Sequence, residues 1–139
     1  MLHLLIEPKI LNETRDKFLV TKKSNGVWDL PGGGLEWGEK PHEGLSREIK
    51  EEMNLEITWI AERPAYFLGG YPMLPEQDIW LVNVVYETQV AHLEYTVSDE
   101  CVEVRFISVT DVAELDQVPS PVRDLAQQFR SEYHIDIER

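Results

Sequence analysis

Short apolar and polar blocks alternate along the 139-residue chain, and this pattern predicts strands separated by turns. Two apolar stretches, residues 2–10 and 18–21, flank a polar segment at 12–16, which is typical of a strand, a turn and a second strand. Residues 79–86 are apolar on both faces, as expected of a central strand. Further strands are predicted at residues 55–61, 65–68, 79–88 and 102–108, with residues 69–72 and 75–78 as a connecting loop.

Two segments have the spacing of α-helices. Residues 41–53 begin with Pro41, which suits a first helical turn, and contain apolar residues at every fourth position, Leu45, Ile49 and Met53. Asn54 follows, and asparagine can adopt the left-handed conformation that often ends a helix. A second helix is predicted to follow Ser120 as its cap, and its apolar positions are Val122, Leu125, Ala126 and Phe129.

Strands interleaved with helices predict an α/β (α+β) fold in which a mixed β-sheet is flanked by helices on both faces. A short helical turn is expected at residues 110–115, before the last helix. Since the chain contains no internal repeat and no linker-like segment, we expect a single domain over residues 1–139.

The net charge of the chain excludes some classes of binding partner. There are 26 acidic residues against 13 Lys and Arg, a formal net charge of -13, with a pI of about 4.6. Polymeric nucleic acid and anionic membranes are therefore not expected as main partners, because proteins contact both with basic residues. Cys101 is the single cysteine, and neither a secretory signal nor an apolar run of 18 residues is present, so we expect a soluble, cytoplasmic protein.

Seven of the 26 acids lie within residues 36–56, and Glu48, Glu51 and Glu52 occupy the first helix together. On a helical wheel Glu48, Glu51 and Glu52 form one stripe directly beside the apolar stripe. Like charges this close destabilise a helix, so a cation is expected among them. Oxygen ligands suit Mg²⁺ or Mn²⁺ and not Zn²⁺. The alternative is a solvated helix face, the usual meaning of a run of Glu, Arg and Lys.

The residues before the helix favour the cation site. Gly33 is followed after five residues by Glu39, and after seven more by the segment Arg47-Glu48-Ile49-Lys50-Glu51-Glu52-Met53-Asn54-Leu55. This spacing resembles the box of the Nudix family, with Asn54 in place of its last glycine. The similarity extends upstream to residues 28–33 and downstream to residues 103–108.

The resemblance implies a hydrolase that cleaves a nucleoside diphosphate linked to another group, with divalent cations held by the box helix. It implies that Glu48 and Glu52 are metal ligands and that Glu51 shares the metals. Arg47 and Glu39 match positions that brace the loop on the helix. The resemblance also gives a role to three glycines, which are expected to let the backbone approach closely and to bend beneath the N-terminus of the helix: Gly32, Gly33 and Gly34.

Glu100 is a candidate for a carboxylate contributed to the metal site from outside the box. Related sequences often carry an acid before the late strand, and Glu100 lies six residues before Phe106. Period-two counting places Glu100, Val102, Val104 and Phe106 on one strand face. In the alternative, the strand begins only at Val102 and Glu100 is a loop acid.

Substrate contacts are weakly specified by the sequence. Side chains that can meet phosphates, or alternatively water, are Arg15, Lys22, Lys23 and Arg63. Rings that can stack on a base, or alternatively pack in the core, are Trp28, Tyr66, Phe67, Tyr71 and Trp80. Asn83 interrupts the central strand, where it either reads a base or ribose or is a satisfied interior amide. Tyr71 lies 16 residues after Leu55, a spacing that the family associates with dinucleoside polyphosphates, and Pro72 lies 17 after it, whereas the family associates a slightly earlier proline with ADP-ribose.

The leading hypothesis is a Mg²⁺-dependent Nudix pyrophosphohydrolase, with Mn²⁺ as a substitute, acting on a small nucleotide or nucleotide-linked diphosphate. Glu52 or Glu100 would manage the proton of the attacking water. The alternatives are a Nudix-fold module that binds a nucleotide without cleaving it, and a purely structural acidic helix. The family resemblance also allows a homodimer.

Overall fold

Two β-sheets and three helices make up the part of the chain that the structure describes, residues 2–74, 76, 78–115 and 117–138 of a computed structural model. The strands are β1 (Leu2–Lys9), β2 (Phe18–Lys22), β3 (Trp28–Asp29), β4 (Gly33–Gly34), β5 (Ile57–Ile60), β6 (Tyr66–Leu74), β7 (Ile79–Val90) and β8 (Glu103–Ile107). The helices are α1 (Pro41–Met53), α2 (Val109–Glu114) and α3 (Ser120–Glu138).

The larger sheet is mixed, as predicted. Its order is β4-β1-β7-β5, and β6 also pairs with β7. β1 and β7 are parallel, whereas β4, β5 and β6 are antiparallel to their partners. β7 is the central strand, and it is buried from Val82 to Tyr86. A second, antiparallel sheet of β3, β2 and β8 was not separated from the first by the sequence pattern.

Helices cover opposite faces of the mixed sheet. Val84 and Val85 are neighbours on β7 and therefore point to opposite faces, and they belong to different apolar clusters. The Val84 cluster contains the apolar side of α1, formed by Leu45, Ile49 and Met53. The Val85 cluster contains the apolar side of α3, formed by Val122, Leu125, Ala126 and Phe129. The α/β/α layering expected from the sequence is confirmed.

The predicted loop at residues 69–72 is wrong, because β6 continues through it to Leu74. Tyr71 pairs with Leu81 and Pro72 with Trp80, after a register shift that follows Gly69. An edge strand tolerates a proline, and a bulge absorbs the extra residue. Of the predicted loop at 75–78, residues 75 and 77 lie outside the described part of the chain.

The helix predictions are confirmed with one correction. α1 spans the predicted residues, and α2 occupies the predicted turn shifted by one residue. α3 begins at Ser120 itself, so this serine is a helical residue and not the preceding cap. No described helix has both the length and the apolar composition needed to cross a membrane. β5 and β8 are shorter than predicted.

The end of α1 carries a left-handed asparagine. Asn54 has φ 56° and ψ 35°, and its N–H donates to the carbonyl of Lys50. Glycine adopts this conformation without strain, whereas alanine does not. We expect Asn54→Gly to raise the free energy of unfolding by up to about 1 kcal/mol and Asn54→Ala to lower it by about 1 kcal/mol. Urea denaturation measures both, and equal stability of the two variants would contradict the assignment.

Candidate active site

The glycine loop lies along the flank of α1. The N–H of Gly32 donates to both carboxylate oxygens of Glu52, at 3.3 and 3.2 Å. The carbonyl of Gly34 accepts a hydrogen bond of 3.1 Å from Nη2 of Arg47. The loop therefore runs from the last turn of the helix towards its middle. The expectation that it bends beneath the helix N-terminus is wrong.

One of the three glycines, Gly32, is required sterically, and a second, Gly33, lies against a side chain. At Gly32 φ is +121°, and a Cβ would lie 2.2 Å from the carbonyl oxygen of Ile6. At Gly33 a Cβ would lie 2.7 Å from the carboxylate of Glu48. At Gly34 the nearest atom would be 3.5 Å away, which is an ordinary contact. A side chain at Gly32 would therefore push the loop away from β1, whereas one at Gly33 would displace the carboxylate of Glu48.

Arg47 is the cation that the like charges on α1 require. Its Nη1 lies 2.9 Å from Oε1 of Glu48 and 3.2 Å from Oε2 of Glu51. Its Nε lies 2.7 Å from Oε2 of Glu39, which also accepts from Nη2 through Oε1 at 3.0 Å. This hydrogen bond from Arg47 lowers the pKa of Glu39 to about 2. The loop before the helix is thereby tied to the helix.

The three box carboxylates differ in exposure. Glu52 is buried, with 8% of its surface accessible, and the side chain of Glu48 is 16% exposed. The side chain of Glu51 is 59% exposed. The solvated-face alternative is therefore wrong for Glu52 and Glu48 and holds only for Glu51.

Burial makes Glu52 a weak acid. It raises the pKa of this carboxyl to about 8, and the nearby charges of Glu48 and Glu100 add to the shift, whereas the Gly32 N–H opposes it. A neutral pH therefore leaves Glu52 largely protonated unless a cation is close to it. A positive charge bound here would return the carboxyl to its ionised form.

Two further carboxyl groups, Glu7 and the partly buried Asp29, were not predicted from the sequence as site residues. Glu7 on β1 is 3% exposed, and burial, then Asp29 and Glu52, raise its pKa well above the usual range. Burial also raises the pKa of Asp29, against the opposing effect of Lys23. The available signal was an acid inside the apolar stretch at residues 2–10, since such a position predicts either a partner or a function.

Glu100 lies near Glu52, but it is not on the strand face that was predicted for it. Glu100 lies in a turn between Ser98 and Cys101, outside β8, and it is exposed. Cys101 is fully buried and Val102 is exposed, so the period-two face does not reach back to Glu100. The loop-acid alternative is confirmed. Its charge nevertheless contributes to the raised pKa of Glu52.

The described residues contain no ready-made cluster of three His, Cys, Asp or Glu side chains that could hold a metal ion. The chemistry of the donor set nevertheless fits a hard divalent cation, because the groups on this flank are carboxylate oxygens. Glu48 and Glu51 are both held by Arg47, and Glu52 is held by a backbone N–H. A cation would have to compete with these contacts.

The basic candidates are dispersed. Arg15 pairs with Glu87 at 2.8 Å, beside a cavity of about 490 Å³ that no box carboxylate lines. Lys22 lies over the ring of Trp28, and Arg63 is exposed. Only Lys23 lies close to the box among these four, with Nζ 3.8 Å from Asp29 and 3.9 Å from Glu100.

The aromatic candidates differ in burial. Trp28 and Tyr66 are core residues, as the packing alternative predicted. Phe67 is 69% exposed. Tyr71 donates its hydroxyl hydrogen to Asp124, and Nε1 of Trp80 donates to Asp78 at 2.7 Å. Asn83 is 1% exposed, and its Nδ2 has no hydrogen-bond partner among the described residues, so the satisfied-amide alternative is wrong.

The raised pKa of Glu52 predicts a pH-dependent stability. Its folded pKa, about 8, exceeds the ordinary value of 4.5, so the folded state binds the proton more tightly and loses stability as pH rises from about 4.5 to about 8. In EDTA, we expect Glu52→Gln to match the wild-type Tm near pH 4.5 and to exceed it at pH 8. Glu51→Gln, an exposed change of equal charge, serves as control. Parallel Tm curves for all three proteins would contradict the burial effect.

The chain is similar in sequence to a known protein family. The NUDIX domain family model matches residues 9–129. A nucleoside triphosphatase, NudI, from Escherichia fergusonii is 27% identical over 96 residues, which is 66% of this chain and 68% of that protein. NudI of Enterobacter sp. strain 638 is also 27% identical over 96 residues, with the same shares.

Solved structures share the fold. The MutT protein of Methanosarcina mazei Go1 superposes with a TM-score of 0.77 over 95% of both chains at 22% identity. A NUDIX hydrolase from Nitrosomonas europaea has a TM-score of 0.72 at 17% identity, covering 98% of this chain and 90% of that one. With the family match over most of its length, the chain belongs to the Nudix family and is a Nudix hydrolase.

Proposed function

We propose that this protein is a divalent-metal-dependent pyrophosphohydrolase that cleaves a phosphoanhydride bond in a small nucleotide or nucleotide-linked diphosphate. The observation that carries the proposal is the packing of the Gly32–Gly33 backbone against the buried carboxyl of Glu52 and the partly buried carboxyl of Glu48. Relatives described as nucleoside triphosphatases support a nucleotide as substrate. A non-catalytic module would have no use for so costly a group of like charges.

The cation is proposed to be Mg²⁺, with Mn²⁺ as a substitute. Its ligands would be Glu48, Glu51 and Glu52, with Glu100 contributing from the turn before β8. When bound, such cations neutralise the phosphates and make a bound water more acidic. The net charge of -13 makes this neutralisation necessary, because an anionic substrate would otherwise be repelled.

The protein groups would then have distinct tasks. Arg47 and Glu39 hold the loop on α1 and orient Glu48 and Glu51 through the hydrogen bonds that join them. Gly32 and Gly33 let the loop backbone lie close against β1 and against the carboxylate of Glu48. Glu52 or Glu100 would accept the proton of the attacking water.

The proposal extends to partners and location. A small nucleotide is the proposed partner, and polymeric nucleic acid and membranes are not, because the acidic surface would repel both. We place the protein in the cytoplasm, where nucleotides are available, and we propose a homodimer as its assembly.

Removing the ionisable oxygen of Glu52 should abolish most of the activity. Glu52→Gln is expected to lower kcat by about 10²–10⁴-fold on the best substrate while the circular dichroism spectrum is unchanged. Glu56→Gln is the matched control, since Glu56 is exposed and follows α1, where its nearest cation is Lys50 at 4.0 Å. Phosphate or pyrophosphate release across a nucleotide panel with Mg²⁺ or Mn²⁺ is the measurement. Near-normal turnover of Glu52→Gln would defeat the assignment.

The same nucleotide panel distinguishes a hydrolase from a non-catalytic nucleotide-binding module. Specific nucleotide binding by the wild-type protein without release of phosphate or pyrophosphate would favour a nucleotide-binding module.

Glu100 is tested by a second pair of variants. Glu100→Gln is expected to weaken Mn²⁺ binding and to lower kcat, because one carboxylate close to Glu52 is lost. Glu103→Gln is the control, since Glu103 lies three residues further on and pairs with Arg105 at 3.3 Å. Calorimetric titration with Mn²⁺ and a turnover assay are the measurements. Equal effects of the two variants would remove Glu100 from the site.

A further inference from the structure

A small cavity lies against the glycine loop on the α3 side of the mixed sheet. Its volume is about 230 Å³, and residues from four strands and from the start of α3 line it: Leu5, Asp29, Tyr71, Pro72, Leu81, Asn83 and residues 119–121. Leu5 pairs with Gly34 across β1 and β4, so the cavity wall and the loop are directly joined. Asp29 lies three residues before Gly32 in the chain.

Asn83 is the unusual group in this wall. It sits on β7 opposite Leu5 of β1, and it is 1% exposed. Its Nδ2 has no hydrogen-bond partner in the described part of the chain. An unpaired buried amide destabilises a fold, and an apolar residue of the same size would avoid that cost. The amide therefore lacks a structural role that would account for it.

We propose that Asn83 determines base specificity, donating a hydrogen bond from Nδ2 to an acceptor on a nucleobase bound in this cavity. This inference rests on the proposed nucleotide hydrolase activity and identifies the residue that recognises the substrate. Asp29 supplies a complementary acceptor in the same wall for an N–H of the base. A base edge carries an acceptor beside a donor, and this pair of side chains matches it.

The size and position of the cavity support a single base. A volume of about 230 Å³ is smaller than a typical drug-sized site, so one heterocyclic ring system fits and a dinucleotide does not. Glu7, two residues from Leu5 on β1, lies close enough to both Asp29 and Glu52 for their charges to raise its pKa. Leu5 of the cavity wall pairs with Gly34, and Gly32 donates to Glu52, so the cavity and the box carboxylates both adjoin the glycine loop, as a nucleotide that joins base and phosphates requires.

The test compares substrates with and without a base. For Asn83→Leu, we expect kcat/KM to fall about 10- to 100-fold on the best nucleoside triphosphate and to stay unchanged on ribose 5-triphosphate. We expect its Tm to equal or exceed that of the wild-type protein, because the unpaired amide is gone. Asn83→Asp, which keeps the shape and replaces the donor with acceptors, should change the order of preference among the four common nucleotides.

Thr88→Val is the matched control on the same strand. Thr88 is also buried, but its hydroxyl donates to the carbonyl of Tyr86 at 2.9 Å, and it does not line this cavity. This variant should lose some stability and treat both substrates as the wild-type protein does. An equal loss on both substrates in Asn83→Leu, or an unchanged nucleotide preference in both Asn83 variants, would overturn the inference.

A binding measurement keeps this inference separate from the catalytic proposal. Calorimetric titration of free nucleosides should show binding to the wild-type protein that Asn83→Leu weakens at least tenfold. If the wild-type protein cleaves no nucleotide but still shows this difference, the proposed reaction fails and the base site stands. Absence of nucleoside binding to the wild-type protein overturns the base site whatever the catalytic result.

Discussion

The contact between the backbone of Gly32 and the carboxyl of Glu52 is the constraint on which the site depends. It buries an acidic group near the negative charges of Glu48 and Glu7, and Lys23 only partly offsets the resulting rise in the pKa of Glu52. Such an arrangement is stable only if protons or cations neutralise it. Repulsion among these carboxylates therefore favours the binding of a cation. A bound cation would turn this acidic flank of α1 into a surface that accepts phosphate.

Rigid packing holds that unfavourable group in place. α1 cannot turn away from the loop because Leu45, Ile49 and Met53 are fully buried against the sheet. The loop cannot move away either, since Arg47 joins Gly34 and Glu39 to the helix. Arg47 therefore has two tasks, as it also neutralises Glu48 and Glu51. The free energy gained by burying the apolar side of α1 offsets the repulsion among the carboxylates beside it.

β7 connects the two halves of the proposed substrate site. One of its faces packs on the α1 side, through Val82, Val84 and Tyr86, and so supports the box helix. Its other face carries Asn83 into the cavity beside the glycine loop. Because side chains alternate along a strand, the residues of β7 that support α1 and the residue proposed to recognise the base lie on opposite faces of the sheet.

Local sequence determined the first helix and the loop motif, because their signals act over a few residues. The Pro41 start, the Asn54 end and the i,i+4 spacing of Glu48 and Glu52 need no distant partner. Tertiary structure decided the extension of β6, the turn that holds Glu100 and the meeting of Glu7, Asp29 and Glu52. The unpaired amide of Asn83 also belongs to this second group. Each of these depends on which strands pair, and burial after pairing is a non-local property that periodicity along one segment cannot specify.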